Sequence, residues 1–452
     1  MVLLQPSATN SSPQMLLKEI APKYLFFILL LLVISNTTAF LTLPSNAVHL
    51  SQYHNRRITT IRMTRAKQSS SSGTKSASKT TTKMKSNNVR WAIRGIAGEI
   101  LHNVFLRQIS RARKFLGTSK QQRLEEAKKV RLPIKNETAL ITGATGGIGS
   151  KMAHELAFRG YDVIIAARNA DLGKDLVLDI QRELENSSNS TSKGAKQTPN
   201  ISFMEYHADV HLSALDVASK LAVLNETKPL TVLINNAGIM GKAEQLSMKV
   251  NLLGPVTLTL ALLPLMMKNC NEDKKSSGVK IINVSSSAHL RATGVFDEED
   301  LLSSSKSLMS IFPDTKDEDL STYAKSKLAL LQFSTLLRHK LPKDNKIQVF
   351  DAHPGLVWTP LLRNHIGDKA TNTLQKTGLA SLIYKSPTEG SHALLAALDH
   401  PAGTGEEQLY FVNGQPGGFA SPESRDLQQS QQLLDRLIAP ELEGIVELPD
   451  GW

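Results

Sequence analysis

The chain contains 452 residues, of which 41% are hydrophobic, 21% charged and 5% aromatic. This composition is typical of a folded α/β protein and excludes a chain that is disordered throughout. The single cysteine, Cys270, excludes an internal disulfide, a CxxC redox pair and a zinc site built from several cysteines. The net charge is +12, but thirteen basic residues and one acidic residue lie before residue 99, which leaves 40 of each sign beyond it. Because this larger part is neutral, it carries no electrostatic footprint for DNA or RNA, and we expect no nucleic-acid partner.

The first 39 residues have the pattern of a secretory signal peptide. Two lysines precede an apolar run at 24–34, and small polar residues follow it. Residues 40–98 contain eleven basic residues, no acidic residue and many Ser and Thr, which is typical of a transit peptide or a disordered basic segment. Together the two segments, with Phe40 just after the expected cleavage point, resemble the two-part plastid presequence of algae with secondary plastids. We therefore expect a plastid protein; the alternative is a signal anchor that holds the protein at the endoplasmic-reticulum membrane.

A basic amphipathic helix is predicted at 89–116, where apolar residues recur at helical spacing among arginines. Such a helix could make peripheral contact with an anionic membrane surface, or it could pack against the folded domain. We assign 99–130 to an amphipathic helical linker and 131–452 to one folded domain.

Seven short apolar runs predict strands in that domain. They lie at Thr138–Thr142, Asp162–Ala167, Ile201–His207, Leu230–Ile234, Lys280–Val284, Ile347–Ala352 and Gln408–Val412. Helical patterns occupy the intervals, notably at Gly149–Arg159, Ala214–Asn225, Ser247–Met267, Ser321–Lys340, Thr388–Leu398 and Ser424–Ile438. This alternation predicts an α/β fold with a doubly wound, mostly parallel sheet of the Rossmann type. The loop composition of 186–200 indicates a surface insertion.

A glycine-rich turn follows the first predicted strand. Glycines stand at 143, 147 and 149, with the spacing GxxxGxG, and a predicted helix comes next. Glycine permits a tight turn and lets a pyrophosphate approach the N–H groups at the start of the helix. The turn therefore indicates a dinucleotide site; a strand–helix turn without a ligand is the alternative.

Four further motifs follow in a fixed order along the chain. They are Asn235-Asn236-Ala237-Gly238, Ser285-Ser286, Tyr323-Ala-Lys-Ser-Lys327 and Pro354-Gly355-Leu-Val357-Trp-Thr359. With the glycine turn they resemble the short-chain dehydrogenase/reductase family, and the string Asn-Val-Ser-Ser-x-Ala-His resembles its retinol dehydrogenase-like branch. The resemblance implies an oxidoreductase with a nicotinamide cofactor and no metal. Its substrate would be a small hydrophobic ketone, aldehyde or alcohol.

Tyr323 and Lys327 are four residues apart on a predicted helix and therefore share one face. We expect the lysine ammonium to lower the tyrosine pKa from its usual value of about 10, which would make the phenol a better acid and base. The resemblance implies that Ser286 holds the substrate oxygen, with Ser285 and Ser287 as less favoured choices, and that Asn251 supports a proton relay. We interpret two nearby histidines as structural: His289 and His353.

The preferred cofactor is predicted from the residue after the second strand. An acidic residue there would bind a ribose 2′-hydroxyl, whereas Arg168 suits a 2′-phosphate and favours NADP(H), with Lys151 as a second basic residue nearby. The resemblance implies cofactor contacts at Gly143, Gly147, Ile148, Gly149, Asp209, Val210, Asn236, Ala237, Gly238, Tyr323, Lys327, Val357 and Thr359.

Two segments lie near the predicted site. One departs from the family pattern, and the other leaves the substrate specificity open. The loop 239–250 is shorter than expected for relatives, and 359–386 is predicted to form most of a lid over the substrate pocket. A different class of function therefore stays open: an NADPH-sensing regulatory or scaffold protein at a plastid or endoplasmic-reticulum membrane. The sequence also leaves a homo-oligomer open.

Overall fold

The computed structural model describes twelve parts of the chain: 135–188, 198–225, 227–240, 244–272, 278–292, 295, 317–342, 346–377, 380–401, 409–418, 420–449 and 451–452. The predicted signal peptide (1–39), transit-peptide-like segment (40–98), amphipathic helix (89–116) and linker (99–130) lie outside these residues, as does most of the predicted insertion. The described part of the predicted domain begins at Lys135.

Seven strands form one parallel sheet. They are β1 (Thr138–Thr142), β2 (Asp162–Ala167), β3 (Ile201–Glu205), β4 (Leu230–Asn235), β5 (Val279–Val284), β6 (Ile347–His353) and β7 (Tyr410–Val412). Their order across the sheet is β3-β2-β1-β4-β5-β6-β7, and every neighbouring pair is parallel. This is a doubly wound Rossmann-type arrangement, so the predicted fold class is confirmed.

Helices connect the strands. They are α1 (Gly147–Phe158), α2 (Ala170–Ser188), α3 (His211–Leu224), α4 (Glu244–Met248), α5 (Gly254–Glu272), α6 (Asp317–Lys340), α7 (Pro360–Lys376), α8 (Ala380–Ile383), α9 (Pro387–Asp399), α10 (Leu427–Leu433) and α11 (Ala439–Leu442). A π-helical turn, Lys249–Leu253, joins α4 to α5, and a second one, Leu434–Ile438, joins α10 to α11. Two 3₁₀ turns are present at Ser287–Arg291 and Glu423–Arg425.

The core has two halves, one on each face of the sheet. Successive strand residues point to opposite faces, so Leu140 of β1 joins one half while Ala139 and Ile141 join the other. Helices α3, α5 and α6 cover the first face, whereas α1, α2 and α9 cover the second. Because both faces are buried, the central strands consist of apolar runs, which is the pattern that predicts them from the sequence.

The sequence prediction differs from the structure in several places. Helix α2 is absent from the predicted helices, although Leu176, Ile180 and Leu184 recur every four residues and are buried. It extends to Ser188, so the predicted insertion at 186–200 begins too early. The predicted third strand continues two residues too far and the seventh begins two residues too early. The predicted helix at 424–438 consists of a 3₁₀ turn, α10 and a π-helical turn.

The segment Glu244–Cys270 is long and apolar enough to cross a membrane, and it is the one such stretch among the described residues. However, 78% of its most apolar window is buried inside the fold. It forms α4, the first π-helical turn and most of α5, in the first half of the core.

A buried polar network fixes α6 against the sheet. Asn235, Asn283 and Asp351 occupy the same level on β4, β5 and β6. Asn235 Nδ2 donates to Asn283 Oδ1 at 2.8 Å, and Asn283 Nδ2 donates to Ser334 Oγ of α6 at 2.8 Å. Ser334 Oγ donates to Asp351 Oδ1 at 2.6 Å, and Arg338 Nη1, also on α6, donates to Asp351 Oδ2 at 3.0 Å. The network holds α6 in a defined register over three strands.

The strand order changes direction between β1 and β4. Connections from β1 lead one way across the sheet and connections from β4 lead the other way. In open α/β sheets ligands bind at such a switch point, beyond the carboxyl ends of the strands. The glycine turn after β1 and the Asn236–Gly238 motif after β4 meet there.

Candidate active site

The glycine turn leaves the start of α1 open. Gly143 and Gly147 have φ values of 64° and 59°, which side chains other than glycine disfavour. A Cβ atom on Gly149 would lie 2.6 Å from Asn236 Nδ2, so the turn also needs glycine where it packs against β4. At Gly146, which precedes α1, a Cβ atom would meet nothing within 4 Å, and no side chain caps the helix. The first N–H groups of α1 can therefore donate hydrogen bonds to an anionic pyrophosphate.

Asn236 fastens the end of β4 to the end of β1. Its Nδ2 donates to Thr142 O at 3.0 Å and to Gly143 O at 3.1 Å. Thr142 Oγ1 accepts the N–H groups of Asn236 and Ala237, each at 3.0 Å. The predicted cofactor residues Asn236 and Ala237 thus shape the turn that carries the predicted glycines.

Arg168 and Asp209 follow β2 and β3, at the same end of the parallel strands as the glycine turn. Arg168 directly follows β2 and is exposed. Asp209 Oδ1 is buried and has no hydrogen-bond partner among the described residues, while the neighbouring Val210 is 45% exposed. An orphaned buried acceptor is costly unless a donor reaches it. The amino group of an adenine is such a donor, so this end of the site fits an adenine dinucleotide.

Val357 and Thr359 lie beside the start of α1. A Cβ atom on Gly147 would be 3.1 Å from Thr359 Cγ2. A Cβ atom on Gly390 would be 2.7 Å from Val357 Cγ2 and 3.1 Å from Ile148 Cγ1. The structure therefore brings three of the predicted cofactor residues, Ile148, Val357 and Thr359, to one end of the glycine turn.

Lys385 supports this loop and is absent from the sequence prediction. Its main chain accepts the Trp358 N–H at 2.8 Å and donates to Leu356 O at 2.7 Å. Its buried Nζ donates to Pro354 O at 3.1 Å and also to Asn413 Oδ1. Because Lys385 is about 30 residues from the loop it supports, no local sequence pattern identifies it. Lys385 lies near the carboxyl end of the segment 359–386, after the helices α7 and α8.

Tyr323, Ser286 and Lys327 lie together at the carboxyl end of β5. The Ser286 side chain lies close enough to the Tyr323 hydroxyl to lower the pKa of that phenol as a hydrogen-bonding neighbour. Lys327 Nζ donates to Val284 O at 2.8 Å and lies 5.8 Å from the centre of the Tyr323 ring. The Ser285 N–H donates to Ala352 O at 2.9 Å and its buried Oγ has no hydrogen-bond partner among the described residues, whereas Ser286 is the serine of this run that neighbours the Tyr323 hydroxyl.

The electrostatics of this group differ from the sequence expectation. Burial raises the pKa of Tyr323 to about 12, and the Ser286 hydrogen bond opposes this only in part. Burial lowers the pKa of Lys327 to about 8, because the charged ammonium loses its hydration. The expectation that Lys327 brings the pKa of Tyr323 below 10 is therefore wrong for this structure. Burial of the phenol is the largest cause of this shift, and a motif in the sequence does not show how deeply a side chain is buried.

Asn251 lies in the π-helical turn and is fully buried. Its Oδ1 accepts the Ile239 N–H at 2.8 Å, and its Nδ2 donates to Ile239 O at 3.0 Å and to Ser326 Oγ at 2.9 Å. A Cβ atom on Gly238 would lie 3.2 Å from Asn251 Oδ1 and 3.5 Å from Lys327 Nζ. Asn251 therefore joins the motif after β4 to the helix that carries the tyrosine. Ser326, which completes this connection, is missed by the sequence prediction.

The two histidines support the serine run and do not contact Tyr323 in any hydrogen bond described. His353 Nδ1, at the end of β6, accepts the Ser287 N–H at 3.3 Å. His289 is buried and its Nδ1 lies 2.6 Å from Ser286 O. Both contacts agree with the interpretation of these side chains as structural.

Comparison with known proteins places this geometry in a family. The family model for short chain dehydrogenases matches residues 137–298. Retinol dehydrogenase 13 from Mus musculus is 30% identical over 314 residues, which are 66% of this chain and 82% of that protein. The chain belongs to the short-chain dehydrogenase/reductase family. The similarity to retinol dehydrogenase 13 confirms the predicted retinol dehydrogenase-like branch, and the family supports the predicted class of enzyme, a dehydrogenase/reductase.

Two plant members of the short-chain dehydrogenase/reductase family are also similar. The dehydrogenase/reductase SDR family member FEY from Arabidopsis thaliana is 34% identical over 245 residues, which are 52% of this chain. The matched part spans 58% of that protein, little more than half of its length. The short-chain dehydrogenase TIC 32 B, chloroplastic, from Brassica napus is 30% identical over 289 residues, which are 62% of this chain and 81% of that protein.

Proposed function

We propose that the chain is an NADP(H)-dependent oxidoreductase that interconverts a hydrophobic ketone or aldehyde and its alcohol. The observation that carries the proposal is the contact between the Tyr323 hydroxyl and Ser286, with Lys327 one helical turn away on the same helix. This group lies at the same edge of the sheet as the open start of α1. A proton donor and a dinucleotide site at one edge are what carbonyl reduction by a nicotinamide requires.

NADP(H) is the proposed cofactor because of the charges near the adenosine end. Arg168 is exposed directly after β2, where a ribose would lie. A guanidinium binds phosphate through parallel charge-assisted hydrogen bonds, whereas it offers a 2′-hydroxyl no matching charge. The residues that would hold the cofactor are Gly143, Gly147, Ile148, Gly149, Arg168, Asp209, Val210, Asn236, Ala237, Gly238, Tyr323, Lys327, Val357 and Thr359.

Three side chains, Tyr323, Ser286 and Lys327, have separate roles in the proton transfer. When bound, NADPH supplies the hydride to the carbonyl carbon. Tyr323 donates its phenolic proton to the substrate oxygen, which Ser286 holds by a hydrogen bond. Lys327 is charged below about pH 8 and stabilises the tyrosinate that remains. The Asn251 side chain is occupied by Ile239 and Ser326, so it supports the site by joining the motif after β4 to the helix that carries Tyr323.

The test is NADPH oxidation by the full chain with a panel of retinal, quinones, steroid ketones and short aldehydes. We expect turnover with at least one apolar carbonyl compound. The variant Tyr323→Phe should lose turnover by about 100-fold or more, because it removes the acid, and should retain NADPH affinity. A Tyr323→Phe variant with full activity would refute this mechanism.

The same experiment separates this proposal from a regulatory or scaffold role. An NADPH-sensing protein would bind the cofactor, as measured by fluorescence titration, and would reduce no compound in the panel. It would also bind a partner or membrane to a degree that changes with NADPH. Light scattering on the same sample determines whether the chain forms a homo-oligomer.

We also propose a plastid location, with peripheral membrane contact through 89–116. The basic two-part N-terminal sequence supports the location, and the relative TIC 32 B is described as chloroplastic. Expression of the full chain with a C-terminal fluorescent tag in an alga should give plastid fluorescence that is lost without residues 1–98. A reticular pattern would support the endoplasmic-reticulum alternative.

A further inference from the structure

His289 makes two hydrogen bonds that determine its protonation state. Its Nδ1 lies 2.6 Å from Ser286 O, and its Nε2 lies 3.2 Å from the Ser421 main-chain nitrogen. A carbonyl oxygen only accepts and an amide N–H only donates. Nδ1 must therefore carry the hydrogen and Nε2 must be a bare acceptor, which makes the ring the neutral Nδ1–H tautomer.

Ser421 belongs to a short turn that is fastened to α6. Ser424 Oγ donates to Ser421 O at 2.6 Å. From α6, Thr335 Oγ1 donates to Ser424 O at 2.9 Å, and Gln332 Nε2 donates to Glu423 O at 3.1 Å. The turn that donates the Ser421 N–H to His289 is thus attached to α6, the helix that also carries Tyr323 and Lys327.

We propose that His289 is a positioning residue that fixes Ser286 relative to Tyr323. The connection leads from Ser286 O through the imidazole to the 421–424 turn, and from there to α6. It therefore links the main chain of Ser286 to the helix that carries Tyr323 by hydrogen bonds, beside the approach of the Ser286 side chain to the Tyr323 hydroxyl. This inference rests on the proposed function, in which these two hydroxyl groups bind the same substrate oxygen.

The surroundings of the ring keep it neutral. His289 is fully buried and packs edge-on against Tyr410, with ring centres 5.6 Å apart. The titratable and charged groups that influence it are His353 and Arg425. A proton on Nε2 would oppose the Ser421 N–H, since both would then be donors. Burial and these neighbours lower the pKa of His289 to about 4.

Three variants divide the connection into its parts. His289→Asn places an amide near the Nδ1 position, where it can still donate to Ser286 O, but it is too short to reach Ser421. His289→Ala removes both bonds. Thr335→Val removes one of the two hydrogen bonds described from α6 to the turn, keeps the bond from Gln332, and leaves the imidazole intact. The matched control is His400→Gln, because His400 is also buried but packs against Phe350 and Phe411, which belong to the second half of the core.

The activity measurement uses the full chain and a carbonyl substrate from the same panel. For His289→Ala we expect kcat to fall about 10- to 100-fold, since small misplacements of reacting groups have effects of this size, while the Kd for NADPH stays within about twofold. His289→Asn and Thr335→Val should give smaller losses of kcat with the same unchanged Kd. His400→Gln should lower the melting temperature and leave kcat unchanged. Wild-type kcat in His289→Ala, a parallel loss of NADPH affinity, or an equal loss of kcat in His400→Gln would overturn the proposal.

A second measurement does not depend on activity. In ¹⁵N-histidine-labelled protein, the His289 signals are identified by their absence from His289→Ala. We expect a protonated Nδ1 and an unprotonated Nε2 from pH 6 to pH 8, and a shifted Nε2 signal in Thr335→Val. Titration of the ring in this range, or an unchanged signal in Thr335→Val, would contradict the connection. Wild-type protein without turnover would refute the proposed function instead, and these signals would still decide for or against the connection.

Discussion

Replacing Lys327 with methionine should stabilise the fold while it abolishes catalysis. Burial lowers the pKa of this lysine from 10.5 to about 8. At about 1.4 kcal/mol per pKa unit, the charged amine therefore costs the folded chain about 3 kcal/mol. Methionine removes this cost, but it also removes the hydrogen bond to Val284 O, worth about 1 kcal/mol. We expect Lys327→Met to raise the free energy of unfolding by about 2 kcal/mol at pH 7.

The pH dependence of this difference tests the reasoning. Below pH 8 the amine is charged in both the folded and the unfolded chain, so the wild type bears the full cost of burial. Between pH 8 and 10.5 the folded amine is neutral while the unfolded one is still charged, and wild-type stability rises with pH by linkage. The advantage of the variant should therefore approach zero at pH 10. Urea unfolding of full-length protein at pH 7 and pH 10 measures both values.

The control is Lys325→Met, which removes a half-buried charge from the same helix two residues away. The change in stability difference between the two pH values should be larger for Lys327→Met than for this control, because Lys327 is the fully buried amine of the two. If Lys327→Met is less stable than the wild type at pH 7, or if its advantage is equal at pH 7 and pH 10, desolvation does not dominate at this position.

Three further predictions concern the cofactor turn and the serine run. Arg168→Asp should weaken NADPH binding about 10- to 100-fold, because one charge-assisted contact to the 2′-phosphate is lost. Fluorescence titrations should show NADH binding unchanged or improved. An equal loss of affinity for both cofactors would show that Arg168 does not bind the 2′-phosphate. Gly149→Ala should abolish NADPH binding or folding, because its Cβ atom would lie 2.6 Å from Asn236 Nδ2, whereas Gly146→Ala has open space and should fold with wild-type circular dichroism and melting temperature. Ser286→Ala should lower kcat by about 100-fold and Ser285→Ala by less than about threefold, and the reverse order would assign the substrate oxygen to the other serine.

The sheet could be predicted from the sequence because its central strands are buried on both faces. The predicted bounds of β1 and β2 coincide with those in the structure, since an apolar run between polar turns has one interpretation in an alternating chain. Helix α2 is not among the helices predicted from the sequence, although its buried residues Leu176, Ile180 and Leu184 recur every four residues among charged ones, which is the amphipathic pattern of a helix packed on a sheet.

The site was predictable in its residue types and only partly in its physics. The motifs gave Tyr323, Lys327 and the glycine turn, because close spacing along one helix or one turn guarantees proximity. The same motifs leave three serines open, and the structure distinguishes Ser286 because it lies between the end of β5 and the 3₁₀ turn and is the neighbour of the Tyr323 hydroxyl. The tyrosine pKa was predicted in the wrong direction, because the number of water molecules removed from a phenol depends on the whole fold.

The contacts that sequence reasoning missed have one property in common, which is that the two partners are distant in the chain. His289 and Ser421 are 132 residues apart, and Lys385 and Pro354 are 31 apart. Motifs are local, so two chains can share all five motifs and still hold Ser286 and Tyr323 with different precision. On the proposed connection, the motifs determine the class of reaction and the C-terminal turn at 421–424 affects its rate. Exchange of that turn for glycine and serine residues should then lower kcat without a change in NADPH affinity, whereas an exchange within the exposed part of α3 should leave both unchanged.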